Sequence, residues 1–389
     1  VAGINPTSGP HGTTVKITGT NFSPVASENT VLFNGTTATV ISASYTGLDV
    51  TVPKGAGTGM VSVIVNGITA NGPSFTYNLS ATVTTVAQFN APIYTASDAN
   101  GNIYISDYNG NVIRRLTPAG ALTIIAGSGQ PGYFDDKNPL LAQFDHPAGI
   151  AVDANGNIYV ADNGNNCIRR ISSTNVSTIA GSTVPGYVDA QGGQAQFNTP
   201  IGLGIDGSGN LYVGDTGNHR IRRVTSVGVV TTVAGNGQAG FADGNGPLAQ
   251  FNGIAGVAVD GNNNIYVADG FNHRIRKING QGVVSTLAGN GTAAFANGTG
   301  TAARFNVPYG VACDASGNVY VADFSNHSIR KVTSAGVTTT TAGNGTSGFV
   351  DAIGSAARFN QPTAVTVAPN GNIYVADFGN QRIRLISFE

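Results

Sequence analysis

Six aspartates, Asp107, Asp162, Asp215, Asp269, Asp323 and Asp377, each have an arginine seven residues later, Arg114, Arg169, Arg222, Arg276, Arg330 and Arg384. Carboxylates and guanidinium groups in such a series could line a ligand-facing ring, or they could simply pair. The separations between successive aspartates, 55, 53, 54, 54 and 54 residues, favour pairing. A period that regular marks one supersecondary unit stacked on itself, and a group present in every unit is placed by the contacts between units. Removing one partner from such a buried pair costs about 3–5 kcal/mol, because the other charge is left alone. Asp98, Asp153, Asp206, Asp260 and Asp314 form a second series, one at the start of the first hairpin in units one to five, where a short carboxylate bonds local backbone.

Three histidines, His219, His273 and His327, suggest a metal site. They occupy equivalent places in consecutive units, on a turn away from any axis, whereas a metal ion needs its nitrogens within ~2.1 Å. No metal or other cofactor is expected. Gly-x-Gly-x-x-Gly occurs at Gly127, Gly235 and Gly343, but a dinucleotide site needs that motif between a strand and a helix, and no helical pattern follows. The long segments between units are better candidates. Each carries an aromatic, Tyr133, Tyr187, Phe241, Phe295 or Phe349, two residues before Asp135, Asp189, Asp243, Asn297 or Asp351. The aromatic is expected to plug the gap between units and the acid to cap its own loop, although such a rim also suits a sugar or peptide. Side chains outside the repeat are the best candidates for specificity: His146, Tyr309, Gln361 and Asp145, with Arg304 and Arg358 adding positive charge nearby.

The elements that must hold these residues are strands. In the second unit, Pro147 to Val152 reads as a first strand, and Asp153-Ala154-Asn155-Gly156 turns the chain. Asn157 to Ala161 follows, then Cys167 to Ile171 and Val176 to Ala180. Four antiparallel strands per period make a propeller blade, and runs such as Ile265-Tyr266-Val267-Ala268 fit strands covered on both faces. The chain stops after a third strand, while Thr82-Val83-Thr84-Thr85-Val86-Ala87 matches the fourth-strand sequence Val229 to Ala234. Residues 82 to 87 are therefore expected to complete the last blade and close the ring. Residues 1 to 78 lie outside the repeat and read as a small sandwich of short period-2 strands around Phe22, Phe33 and Phe75.

Composition narrows the function. With 19 Lys+Arg against 20 Asp+Glu there is no field to attract a nucleic-acid backbone or an anionic membrane. Gly numbers 55, Trp is absent and charged residues make up 10%, which suits an exported all-β protein. No eighteen-residue apolar run provides a membrane span. The start at Val1 is compatible with a processed export form, and Cys167 and Cys313, in blades two and five, are expected to be free thiols.

Two resemblances follow from the motifs. Ile4-Asn5-Pro6-Thr7-Ser8-Gly9, Ile17-Thr18-Gly19-Thr20-Asn21-Phe22 and Phe75-Thr76-Tyr77 resemble the IPT/TIG family of immunoglobulin-like domains. The repeat resembles the NHL family through Asn218-His219-Arg220, Asn272-His273-Arg274 and Asn326-His327-Ser328. The resemblance implies a six-bladed propeller over residues 79–389 behind an IPT/TIG domain over 1–78. Relatives that are metal-dependent lyases would hold their metal on the axis, where this chain has Ala91, His146, Thr199, Gly253, Val307 and Gln361. That ring lacks a ligand set. The pairing of domains implies a secreted or bacterial cell-surface protein that binds a glycan, a protein partner or like subunits, without nucleic acid. A lyase or hydrolase acting at the mouth is the alternative.

Overall fold

The computed structural model describes residues 1–388 and divides into two compact units, one built on Val1–Thr82 and one on Val83–Ile386. The first is the expected sandwich. Thr14–Thr18 alternates exposed and buried residues, placing Val15 and Ile17 in the core with Val31, Val50, Val63 and the edge-on pair Phe33 and Phe75 at 5.1 Å. The long strand Thr36–Ser44 pairs with Asn29–Phe33 and with Gly47–Thr51, and its register shifts between Val40 and Ser42. That irregularity lets one strand serve both layers.

The second unit is a ring of six blades. Blade one is Pro92–Ser97, Ile103–Asp107, Val112–Leu116 and Leu122–Ala126; blade two is Pro147–Val152, Ile158–Asp162, Cys167–Ile171 and Val176–Gly181. Blade six takes Pro362–Val367, Ile373–Asp377 and Arg382–Phe388 from the end of the chain and Ala81–Gln88 as its fourth strand. The ring is thus closed by sheet pairing, as the matched sequence of residues 82 to 87 predicts. The second strands of blades one, two, four and five are buried at every residue, which accounts for their continuous apolar runs.

The first-strand hairpins are set by the second aspartate series. Asp153 Oδ1 accepts the N–H groups of Asn155 and Asn157. At the equivalent Asp98, burial works against the charge, but hydrogen bonds from Asn102, Tyr104 and Asn100 outweigh it and hold the carboxyl below its usual range. Around the axis the first strands approach closely. A Cβ on Gly202 would lie 2.5 Å from the Ala255 carbonyl oxygen, so this position needs glycine in blade three. Blade one has Tyr94 at the aligned place, and its side chain crosses the axis. Cys167 and Cys313 are free thiols.

Candidate functional site

The repeated ionic residues are fully paired in blades two, three, four and six, while in blade five the buried Arg330 Nε has no partner among the described residues. Asp162 is fully buried: its Oδ1 accepts the Asp145 N–H at 2.8 Å, and its Oδ2 accepts Asn165 Nδ2 at 2.9 Å and Arg169 Nη1 at 2.6 Å. Asp215, Asp269, Asp323 and Asp377 repeat this with Arg222, Arg276, Arg330 and Arg384. Burial pushes Asp162 and Asp323 up to about 6 against the pull of Arg169 and Arg330. With both oxygens engaged and no exposed surface, these carboxylates have nothing left for a ligand.

The acids of the long loops do not cap their own loops, contrary to the sequence expectation. Asp135 accepts Arg169 Nε and Nη2 and also the Thr178 N–H and Oγ1–H, so it fastens the incoming loop to the third and fourth strands of blade two. Asp189, Asp243 and Asp351 do the same for Arg222, Arg276 and Arg384, while the neutral Asn297 does only part of it, accepting Arg330 Nη2 and the Thr340 hydroxyl through Oδ1 and leaving Arg330 Nε unpaired. A fully buried guanidinium has five N–H groups to satisfy, and one inner aspartate cannot accept them all. The loop aromatics are likewise engaged. Arg222 lies 4.8 Å from the Tyr187 ring centroid and 5.2 Å from that of Phe197. Tyr133, Phe241, Phe295 and Phe349 serve the other four arginines, together with the buried Phe144, Phe251, Phe305 and Phe359. Sequence reasoning missed this second ring. Its signal is the recurring Ala-Gln-Phe or Ala-Arg-Phe ending at those phenylalanines. The loop aromatics keep an outer surface, being 41% to 51% exposed. Arg358 turns its Nη1 to the carbonyls of Ser355, Ala356 and Ala357, and so adds its charge to its own turn.

Two of the three repeat histidines join neighbouring blades, while His219 Nδ1 is buried without a partner among the described residues. His273 Nδ1 accepts the Val307 N–H at 3.1 Å and His327 Nδ1 accepts the Gln361 N–H at 3.0 Å; Asn111 and Asn166 do this through Oδ1 for His146 and Thr199. The acceptor nitrogen must be unprotonated, so His273 and His327 carry their proton on Nε2. Burial holds both below the usual histidine range. The amides reach these acceptors because His146, Thr199, Val307 and Gln361 have φ near +50°, at 52°, 48°, 52° and 52°. That conformation is costly for the β-branched Thr199 and Val307, and the inter-blade hydrogen bond compensates.

Blade one departs from the frame. Arg114 gives only Nε to Asp107, at 2.9 Å, and its side chain is 27% exposed; among the described residues it has no other partner. All six expected Asp–Arg pairs form, five of them clamped by a loop residue and the one in blade one left open. Only Phe89, Asn90 and Ala91 separate the closing strand from Pro92, leaving no loop to reach Arg114, and Gly110 stands where Asn165 stands in blade two.

Residues that the symmetry does not repeat converge at the mouth of the ring. Tyr94 donates its hydroxyl to the Ala255 carbonyl at 2.6 Å, spanning from blade one to blade four, and its ring meets Tyr309 at 6.0 Å. The two tyrosines stopper the axis. A cavity of about 170 Å³ begins one residue further along the first strands, lined by Thr95, Ile150, Leu203, Val257, Val311 and Val365 among others. Burial pushes the Tyr309 phenol up to about 12 and Tyr94 well above its ordinary value, so both stay neutral donors. Above this floor, Tyr309 packs against Phe324 at 5.9 Å and Tyr108 against His146 at 4.6 Å. His146 Nδ1 meets Asp145 Oδ1 at 2.6 Å, with side chains 45% and 33% exposed. Gln361 is exposed on the same ring of positions, and Asn163 donates Nδ2 to the Pro200 carbonyl. The structure therefore brings Tyr309 together with Tyr94 and Phe324, and Asp145 and His146 together with Tyr108. Among the described residues no three His, Cys, Asp or Glu side chains cluster to hold a metal. Tyr94, Tyr108 and Phe324 were not singled out from sequence. The one available signal is that Tyr108, Phe324 and Phe378 follow the ladder aspartate in three blades where Asn163, Thr216 and Gly270 follow it in the others.

With this geometry in hand, the comparisons are decisive for family. The IPT/TIG domain profile matches residues 1–77, and the NHL repeat profile matches 144–171, 197–224, 251–278, 305–332 and 359–384. The chain is an IPT/TIG domain followed by an NHL-repeat propeller. The profile omits blade one, which is also the blade without the clamp. The chloroplast protein Suppressor of Quenching 1 of Arabidopsis thaliana is 30% identical over 310 residues, covering 74% of this chain and 29% of that protein. Human NHL repeat-containing protein 2 is 28% identical over 338 residues, covering 76% and 46%. The NHL chain thus spans less than half the length of these two relatives. Among solved structures, an auxiliary nutrient binding protein from Bacteroides ovatus superposes with a TM-score of 0.63 at 19% identity, covering 100% of this chain and 97% of that one. That match establishes the two-part fold.

Proposed function

We propose that this protein is an extracytoplasmic, non-catalytic binding protein whose propeller mouth takes a saccharide. The observation that carries the reading is the aromatic bowl: Tyr108 tilted against His146 at 4.6 Å, and Tyr309 tilted against Phe324 at 5.9 Å and meeting Tyr94 across the axis. Sugar rings present C–H faces that pack on aromatic surfaces and hydroxyls that need acceptors and donors at the edge. Asp145, His146 and Gln361 supply both at the rim. The description of the Bacteroides ovatus relative as a nutrient binding protein supports the same direction, and the Gly-rich, weakly charged composition supports export. No helix among the described residues is long and apolar enough to cross a membrane. A screen of glycans and surface proteins, repeated with His146→Ala and Gln361→Ala together, tests the reading. A saccharide hit lost in the double variant supports it, and hits that survive unchanged move the site to the loops or the first unit.

One observation favours a lyase or hydrolase at the same mouth. The 2.6 Å contact between His146 Nδ1 and Asp145 Oδ1 orients the imidazole and leaves Nε2 without a protein partner, as a general base requires. Turnover of a bound saccharide that disappears in His146→Ala while binding persists would select this reading over simple binding.

A further inference from the structure

We infer that the outer edge of blade one is a docking groove for an extended peptide of a partner protein, carrying an aromatic residue two places before an aspartate. This edge is separate from the mouth, and in the other five blades the same position is filled by the protein's own chain.

In blades two to six the incoming loop lies along the fourth strand. The Val176, Val230 and Val83 N–H groups donate to the carbonyls of Asp136, Ala190 and Ala352, and Gly244–Asn245 and Gly298–Thr299 pair antiparallel with the fourth strands of blades four and five. The residue just before each of these contacts, an aspartate in four blades and Asn297 in blade five, takes the ladder arginine, and at Thr178, Thr232, Thr286 and Thr85 the aspartate also takes an outward backbone N–H. The aromatic two residues earlier lies over the same guanidinium.

Blade one keeps the receiving half of this arrangement and lacks the segment. Leu122 and Ile124 occupy the places of Val176 and Thr178, and are 36% and 43% exposed. Arg114 has both Nη groups without a partner among the described residues. An open strand edge with apolar side chains and an unpaired guanidinium beside it is a template for strand addition. The occupant's chemistry follows from the sister blades. Its aspartate would take Arg114 and the Ile124 N–H, its next carbonyl the Leu122 N–H, and its aromatic the guanidinium face.

The test uses a fluorescent peptide copying residues 238–246, Gln-Ala-Gly-Phe-Ala-Asp-Gly-Asn-Gly, titrated with the full chain. The expected result is saturable binding that weakens about ten-fold or more when the peptide's aspartate becomes alanine. Ile124→Thr, which supplies the second hydroxyl donor found in the sister blades, should tighten binding about 3–10-fold. Ile124→Pro, which removes the outward N–H, should weaken it without changing the melting temperature by more than Ile124→Thr does. The inference is overturned by absence of saturable binding at millimolar peptide, or by affinity indifferent to both the aspartate and Ile124. It is also overturned if sedimentation shows a dimer that Ile124→Pro dissociates and the peptide does not, which would make a second copy the occupant.

Discussion

Blade one and blade two share a strand plan, yet one of them is left open. In blade two, Arg169 is enclosed by Asp162, Asp135, two carbonyls and two aromatic rings, while in blade one Arg114 has Asp107 alone. The difference comes from a connection of three residues, Phe89 to Ala91, where blade two has a long loop. It separates two roles that the sequence presents as one series. A repeated pair becomes frame only when a loop closes over it. The blade in which closure fails also contributes Tyr94 and Tyr108 to the mouth, where they meet Tyr309 of blade five, itself packed on Phe324, and His146 of blade two.

The largest effect that should break the comparison is loss of the seam itself. Deleting residues 82–87 removes the fourth strand of blade six and exposes an unpaired edge, so the melting temperature should fall sharply, whereas removing residues 1–78 should leave the propeller's transition almost in place. Equal falls in calorimetry would contradict closure by that strand. Next in size is the arginine contrast. Arg222→Ala strands buried Asp215 and should cost about 3–5 kcal/mol in chemical denaturation, and Arg114→Ala should cost clearly less, because its pair is partly hydrated and makes one hydrogen bond. Equal costs would mean that the loop clamp adds nothing.

Smallest is a pH effect that belongs to the His-bearing blades. His273 and His327 are held below the ordinary histidine range in the folded state, so from pH 6.5 downward the unfolded chain takes up protons that the folded one resists. Their contribution is fully present above that pH and is lost as pH falls toward the folded-state values. The raised Asp162 and Asp323, at about 6, act in the opposite sense between pH 6 and the ordinary carboxylate range. Comparison with His273→Asn/His327→Asn isolates the histidine part, since Asn111 and Asn166 already do the same work without titrating. The double variant should lose less stability than the wild type between pH 7.5 and 5.5, and parallel curves would remove the histidines from the account.

Most of the fold was legible because it is written six times. Period, turn residues and the matched sequence at 82–87 located the blades, and the ladder pairs followed from their regularity. The two rings of aromatics around the arginines were half legible: Tyr133 and its counterparts drew attention, while Phe144 and its counterparts lay hidden in the apolar background of strand-entry segments. The mouth was the least legible. Tyr309, His146, Asp145 and Gln361 could be found as departures from the repeat. Tyr94 could not, because a tyrosine in a strand looks like core, and its reach across the axis to Ala255 exists only once the ring has closed.

On this reading the repeated residues hold the ring and the unrepeated mouth binds. Calorimetric titration of the tightest saccharide from the glycan screen into wild type and Tyr108→Ala tests it most directly, with melting temperatures measured on the same samples. Tyr108→Ala should weaken binding about ten-fold or more, through loss of the aromatic surface beside His146, while the melting temperature stays close to that of the wild type. Unchanged affinity in Tyr108→Ala would contradict this reading.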